Sequence, residues 1–247
     1  MRLTMILAAS AALAVPAAIT AKQAVSPAIT KALADPARAD QTSDDARRHA
    51  AEVMAFAGVK PGQTVVDFLP GKGYWTRIFT GVVGPSGHVY ALWPNVAIKS
   101  YQGDIDALTA RHLANVTAEG QATNLPTVAK PVDLFWTVQN YHDLNNFAGE
   151  AGYVAFNKAV FDALKPGGIY LIVDHVAPAG SGLADTKTLH RIDPAIVKKQ
   201  VLAAGFQWVG ESTVLANPKD DHSLKVFDPA IRGTTDQFVY KFRKPLK

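Results

Sequence analysis

The stretch "VVDFLPGKGYWTRIF", residues 65–79, decides the fold. A run of β-branched apolar residues ends at Asp67, a Gly-x-Gly follows, and an aromatic pair begins the next segment. This order is typical of a strand that passes through a glycine loop into a helix, as in sites for nucleotide-type cofactors. Leu69 and Pro70 stand where such loops usually carry a glycine and a small residue. The stretch therefore predicts a cofactor loop whose first half is altered.

Apolar strands and helical segments alternate along the rest of the chain. The pattern predicts strands over residues 64–68, 88–92, 115–120, 132–138, 168–174, 206–213 and 236–242, and helices over residues 43–57, 74–83, 104–114, 149–164 and 194–204. Regular alternation is typical of a mostly parallel sheet with helices on both faces. In such sheets the ligand binds at the carboxyl ends of the strands, near the point where strand order reverses.

The first residues differ in composition from the rest. Residues 1–21, "MRLTMILAASAALAVPAAITA", combine one early arginine, an apolar stretch and small residues at the end, which predicts a secretory signal peptide. The alternative is an uncleaved membrane anchor, although the stretch is alanine-rich and short for a span. Residues 22–42 predict a linker or an N-terminal arm, and residues 43–247 one domain. We expect an exported protein, periplasmic in a Gram-negative bacterium, without stable membrane insertion after cleavage.

Charge and cysteine content exclude several classes of function. The chain has 247 residues, a net charge of +4 and scattered lysines and arginines, so we expect no nucleic-acid partner. It has no cysteine and therefore no disulfide, lipid-modified cysteine or thiolate chemistry. We expect a small-molecule ligand, and the oligomeric state stays open.

The chain resembles a class I S-adenosylmethionine (SAM)-dependent methyltransferase. The resemblance rests on the order and spacing of "VKPGQTVVDFLPGKGYWT", "VGPSGHVYAL", "NLP" before "VDLFWTV", "ALKPGGIYLIVD" and "AAGF". The segments "TLHRIDP", "NPKDDHSLKVFDP" and "IRGTTDQFVYKF" are similar to an exported bacterial group of predicted methyltransferases. The resemblance implies SAM as cofactor and a Rossmann-like, mostly parallel α/β sheet with an antiparallel C-terminal strand.

The resemblance also implies where SAM would bind. In the family an acid at the end of the second strand accepts the ribose hydroxyls, and an acid after the third strand lies near the adenine. Here Trp93 stands at the first position and Gln121 at the second. Tryptophan can stack on adenine but cannot accept two hydroxyl hydrogen bonds, whereas glutamine can still bond an amine. The predicted cofactor-binding residues are Asp67, Pro70, Gly71, Gly73, Tyr74, Trp93, Gln121, Ala122 and Asn140.

The loops after the fourth and fifth strands carry the candidate catalytic groups. In "QNYHDL", residues 139–144, His142 can deprotonate a substrate hydroxyl or amine with help from Tyr141 or Asp143, or it can cap the next helix. His175 in "VDHVAPAG" is a second candidate base. Metal-assisted O-methyltransferases hold a cation near this position, but no metal-ligand spacing recurs here, and we predict no metal site.

The remaining candidates are predicted to bind substrate. They are Asp174, His190, Arg191 and Arg232. A guanidinium group can clamp a carboxylate or phosphate, and the alternative for Arg191 is a structural pair with Asp193 or Asp236. Two functions remain open: a SAM-dependent methyltransferase acting on a small molecule or cell-envelope component, and an exported non-catalytic binding or accessory protein on the same fold. Export favours the second, because SAM is made in the cytoplasm.

Overall fold

The computed structural model describes the backbone of residues 23–247, and all side chains in that range other than those of residues 147 and 148. The predicted signal peptide, residues 1–21, lies outside the described residues. Within residues 23–247, no helix combines the length and the apolar character needed to cross a membrane.

A seven-stranded sheet forms the centre of the molecule. Its strands are β1 (Thr64–Phe68), β2 (His88–Trp93), β3 (Val116–Gly120), β4 (Val132–Val138), β5 (Leu164–His175), β6 (Gln207–Ser212) and β7 (Gln237–Arg243), in the order β3-β2-β1-β4-β5-β7-β6. Strands β1 to β5 are parallel, and β7 is antiparallel to both of its neighbours. The predicted sheet is confirmed. Strand order reverses between β1 and β4, so a ligand crevice is expected above these two strands.

Six α-helices within the described residues cover the two faces of the sheet. They are α1 (Pro27–Leu33), α2 (Ala50–Ala57), α3 (Tyr74–Val83), α4 (Asn95–Thr109), α5 (Leu144–Ala163) and α6 (Pro194–Ala203). Helices α1 to α3 share one buried apolar cluster with the sheet, and helices α4 to α6 share a second cluster. Each face of the sheet is therefore buried under three helices.

Strand residues explain why both faces are covered. Val65 and Leu134 belong to the cluster under α1 to α3, while Val66 and Phe135 belong to the cluster under α4 to α6. Successive side chains of a strand point to opposite faces, so a continuous apolar run buries side chains on both. Full burial of one such side chain contributes about 1.5–3 kcal/mol to stability.

The N-terminal segment lies on the domain as an arm. Helix α1 buries Ile29 and Ala32. It packs closely on α3, because a Cβ added to Gly81 would come within 2.8 Å of Ala32 Cβ. The sequence did not predict a helix in this arm.

The helix predicted from Ser43 begins instead at Ala50. Of the two acids expected in its first turn, Asp45 accepts hydrogen bonds from Arg38 and from the Tyr74 hydroxyl, whereas Asp44 pairs locally with Arg47. The chain then passes through His49, which has a left-handed backbone with φ of 45°, before the helix starts.

Two other helices begin earlier than predicted. Helix α4 begins at Asn95, and α5 begins at Leu144 with a break at Gly149, whose φ is 62°. Both helices therefore start directly after a strand-end loop, at the edge of the crevice.

Candidate functional site

The β1–α3 loop keeps open space above its middle glycine. Gly71 has a φ of 54°, and a Cβ placed on it would meet no atom within 4 Å. Gly73 caps α3, and a Cβ there would lie 3.0 Å from Leu108 Cδ1. The structure therefore gives Gly73 a packing role against Leu108, whereas Gly71 leaves room for a ligand.

A cavity of about 560 Å³ opens at the carboxyl ends of β1, β4 and β5, within the usual size range of small-molecule sites. The N-terminal arm and residues 226–227 close its sides. Of the predicted site residues it contains Asp67, Pro70, Gly71, Tyr74, Asn140, His142, Asp143, His175 and His190. The structure thus brings the predicted residues of three strand ends into one cavity.

Asp174 holds His142 in place. The carboxylate is fully buried at the end of β5, and its Oδ1 lies 2.8 Å from His142 Nδ1. It also accepts the backbone N–H groups of His142 and His175, both at 2.8 Å. Burial opposes ionisation, yet the charge and hydrogen bonds of His142 outweigh it and lower the pKa of Asp174. An ionised Asp174 accepts the Nδ1–H of His142, which leaves Nε2 free to accept a proton or bind a cation.

The pKa values of the two histidines beside Asp174 shift in opposite directions. Burial lowers the pKa of His142, but the Asp174 and Asp143 carboxylates outweigh burial and raise it. Burial lowers the pKa of His175 to about 4, and its Nδ1 lies 2.8 Å from the Thr235 hydroxyl oxygen. His142 is therefore the stronger base of the pair, and His175 is neutral near pH 7.

Asp67 is a buried acid that lines the cavity. Burial raises its pKa to about 7, although a hydrogen bond from Thr76 Oγ1 to Asp67 Oδ2 at 2.6 Å opposes that rise. The carboxyl therefore holds its proton to a higher pH than an exposed aspartate does.

Three loop residues of the cavity have strained backbones. Leu69, Gln139 and His190 have φ values of 54°, 62° and 56°, in the left-handed region that side chains disfavour. All three line the cavity. Such strain is of order 1–3 kcal/mol per residue and is concentrated at functional sites in proteins.

Three donor atoms converge at one place in the cavity. His142 Nε2 lies 3.3 Å from His190 Nδ1 and 3.5 Å from Asp143 Oδ1, and the last two atoms are 3.8 Å apart. These residues form a group that could hold a metal ion. Sequence patterns did not predict this group, because His190 is far along the chain from His142 and Asp143 and the three residues match no known metal-ligand spacing.

The β2 and β3 ends do not contribute to the cavity, which corrects the predicted roles of three residues. Trp93 is fully buried in the core cluster under α4 to α6, so it has no face open for stacking on an adenine. Gln121 donates to Glu119 and accepts from the Thr127 N–H. Gln121 and Ala122 line a separate depression.

Tyr141 and Arg191 also lie outside the cavity, which corrects two further predictions. Tyr141 is buried, and its hydroxyl accepts from Asn157 and donates to Gln200. Arg191 is fully buried and donates to both carboxylate oxygens of Asp220, at 3.0 and 2.9 Å. Arg191 is therefore a structural residue, as the alternative held, but its partner is neither of the predicted acids.

Two of the residues predicted to bind substrate, Asp174 and Arg232, do not line the main cavity. Asp174 touches His142 rather than open space. Arg232 lines an adjoining depression of about 390 Å³, together with Arg47, Arg48 and His175.

Several cavity residues were not predicted. Arg48 lies over the Tyr74 ring at 4.6 Å, and Phe227 lies against the His190 ring with centroids 4.9 Å apart. The other unpredicted lining residues include Asp40, Gln41, Asp44, Lys72, Tyr101 and Gln139. Sequence patterns did not place the arm residues in the cavity wall, because their position depends on how the arm packs on the domain.

The cavity fits one half of SAM better than the other. The open space at Gly71 and the nearby carboxyl groups of Asp67 and Asp143 suit a cationic, methionine-like group. The positions that the resemblance assigned to ribose and adenine do not fit, since Trp93 is buried and Gln121 is already bonded within the protein.

Comparison with known proteins identifies the fold. No family model matches the chain, and no curated protein matches it. A SAM-dependent methyltransferase from Aquifex aeolicus has 18% identity, a TM-score of 0.54 and coverage of 87% of this chain and 96% of that one. The N-methyltransferase NodS from Bradyrhizobium japonicum WM9 has 12% identity, a TM-score of 0.57 and coverage of 83% and 99%.

A third similar structure contains a ligand. The glycopeptide N-methyltransferase MtfA, complexed with sinefungin, has 15% identity, a TM-score of 0.54 and coverage of 81% of this chain and 86% of that one. At these identities the likeness shows the methyltransferase fold, and the predicted fold class is confirmed.

Proposed function

We propose that the chain is a SAM-dependent methyltransferase that acts on a small molecule or a cell-envelope component. The observation that carries the proposal is the His142 imidazole, held by buried Asp174, in a cavity next to the open glycine loop. When bound, SAM supplies a methyl group to a nucleophile. His142 Nε2 accepts the proton of a substrate hydroxyl or amine, and Asp174 stabilises the resulting imidazolium.

The adjoining depression supports a substrate with a negative group. Arg47, Arg48 and Arg232 line it together with His175, which also lines the main cavity. Guanidinium groups match carboxylates and phosphates in shape and charge. We propose that an acidic part of the substrate binds here while its nucleophile lies near His142.

Titration of the full chain with SAM and S-adenosylhomocysteine tests the proposal. We expect saturable binding of one molecule per chain with a Kd below about 1 mM, which corresponds to about −4 kcal/mol. Gly71→Met fills the space above the loop and should weaken binding at least tenfold. Gly182→Met is the matched control, because Gly182 has a similar φ of 58° and also has no atom within 4 Å of an added Cβ. Absence of binding, or equal effects of both variants, would contradict the proposal.

A second candidate is an exported binding or accessory protein that uses the fold without catalysis. The burial of Trp93 at the β2 end favours it, because that side chain occupies the core instead of offering a nucleoside site. This candidate predicts that neither SAM nor its demethylated product binds, while acidic small molecules raise the melting temperature.

Export remains part of both proposals and has a direct test. N-terminal sequencing of the protein from the periplasmic fraction should give a start between residues 17 and 25. Recovery of an intact Met1 in the membrane fraction would support the anchor alternative.

A further inference from the structure

We propose that His142, Asp143 and His190 bind a divalent transition-metal cation, such as Zn²⁺, in the cavity. This inference does not depend on the proposed function, because binding of a cation requires neither SAM nor a methyl acceptor. Two imidazole nitrogens and one carboxylate oxygen are a common ligand set for Zn²⁺ and other first-row metals.

The distances between the three donor atoms suit a metal ion. The separations of 3.3, 3.5 and 3.8 Å define a triangle. Its centre lies about 2 Å from each donor atom, the length of a typical Zn–N or Zn–O bond. One cation can therefore contact all three atoms after shifts of a few tenths of an ångström.

The surroundings of His142 are those of a metal ligand. Its Nδ1 faces Asp174 at 2.8 Å, so the imidazole is fixed with Nε2 towards the other two donors. A carboxylate behind a ligating histidine orients the ring and makes it a better ligand. Asp174 is fully buried and also accepts two backbone N–H groups, so it cannot turn towards the cation itself.

The third ligand is held by an unusual local structure. His190 has a left-handed backbone with φ of 56°, and its ring packs on Phe227. Both residues line the cavity, as do His142 and Asp143. The open side of the triangle therefore faces ligand space, where a water molecule or a substrate oxygen can complete the coordination.

A bound cation would refine the role of His142. Its Nε2 would then be a ligand, and the cation would lower the pKa of a coordinated substrate hydroxyl in place of proton transfer to the imidazole. In the absence of a cation, His190 Nδ1–H can donate a simple hydrogen bond to His142 Nε2.

Calorimetric titration of the chelator-treated full chain with ZnCl₂ tests the site. We expect one Zn²⁺ per chain with a Kd in the micromolar range or tighter, and no comparable heat with MgCl₂. His190→Ala should weaken Zn²⁺ binding at least tenfold. Asp174→Asn should weaken it about 10–100-fold, as changes behind a ligating histidine do.

His112→Ala is the matched control for His190→Ala. His112 is exposed and also has a left-handed backbone, with φ of 49° against 56° for His190, so both substitutions place an alanine in the same disfavoured conformation. The control should bind Zn²⁺ as the wild type does. Circular dichroism checks that each variant is folded, and His190→Gln replaces His190→Ala if the latter unfolds.

Two results would overturn the metal site: no binding by the wild type at 1 mM ZnCl₂ (about −4 kcal/mol), or unchanged binding by the folded His190 variant. A chain that binds SAM but not Zn²⁺ overturns this inference alone. A chain that binds Zn²⁺ but not SAM overturns the proposed function alone.

Discussion

The two halves of the strand-end crevice differ in how their side chains are used. At the ends of β1, β4 and β5, polar groups face a cavity of about 560 Å³. At the ends of β2 and β3, Trp93 is in the core and both polar groups of the Gln121 amide are bonded within the protein. The fold thus keeps one half of a ligand crevice open and uses the other half for packing.

The difference between the two halves shows that the fold alone does not determine which strand ends form a site. Similar sheets in methyltransferases with 12–18% identity show that the architecture tolerates large changes in sequence. Function depends on the side chains at the strand ends, which can change independently at each end. Experiments that perturb one half and compare it with the other half therefore test the assignment of the site.

The largest effect is expected for Trp93→Ala, which should lower the free energy of unfolding by about 3–5 kcal/mol, because it leaves a cavity in the core. Trp136→Ala is the matched control, since both indoles are fully buried and both Nε1 atoms lack a hydrogen-bond partner among the described residues. Urea denaturation should give similar losses. If Trp93 fills a former nucleoside position, only Trp93→Ala should gain affinity for adenosine. A loss below about 1 kcal/mol would show that Trp93 is not a core residue.

Asp67→Asn should stabilise the protein at alkaline pH. The folded pKa of about 7 exceeds the ordinary value of 3.8, so the folded state holds a proton that the unfolded state releases between about pH 4 and 7. Wild-type stability therefore falls as pH rises through this window, and the amide removes that penalty. The expected gain at pH 8 is up to about 4 kcal/mol.

Denaturation of wild type and Asp67→Asn at pH 5 and pH 8 checks this expectation. Asp162→Asn is the control, because its side chain is 60% exposed and should show no comparable gain. A gain for Asp67→Asn that is equal at both pH values would contradict the burial of an ionisable group in the open half.

Asp174→Asn should lower the free energy of unfolding by about 1–3 kcal/mol. The carboxylate accepts three N–H groups, and an amide leaves at least one buried donor unsatisfied. Nitrogen-15 spectra of the histidines should also show a changed tautomer population for His142. Unchanged stability and an unchanged tautomer would mean that Asp174 does not hold His142.

The smallest effects on stability are expected for one amide side chain from each half of the crevice. Gln121→Ala and Asn140→Ala each remove two hydrogen bonds, and each should cost about 1–2 kcal/mol. Asn140 ties the β4–α5 loop to Phe68 and Leu69 and lines the cavity, so only Asn140→Ala should weaken binding of S-adenosylhomocysteine. Equal effects on binding would show that the β2–β3 half also takes part in the site.

The sequence predicted the strand-end loops of the open half correctly. Asp67, His142 and His175 each follow or end an apolar strand, and parallel strands bring such ends to one edge of a sheet. The arm residues of the cavity wall were beyond sequence patterns, because their position depends on how α1 packs against α3.

The roles of single residues were predicted less well where a side chain of that type can lie either in the core or in the cavity. Trp93 and Arg191 have residue types that suit ligand binding, but Trp93 is enclosed by the core and the Arg191 guanidinium is paired with Asp220. Large buried side chains of this kind are recognised only from their neighbours, which lie on other elements.

The sequence by itself determined the order along the chain of the seven strands and of helices α2 to α6, the glycine loop and the edge of the sheet where a site can form, because these follow from local periodicity and turn residues. Only the tertiary structure decided that His142 meets Asp174 and His190, and that Trp93 turns into the core. The physical reason is distance along the chain: contacts between separate loops depend on the packing of the elements that carry them, and no local pattern encodes that packing.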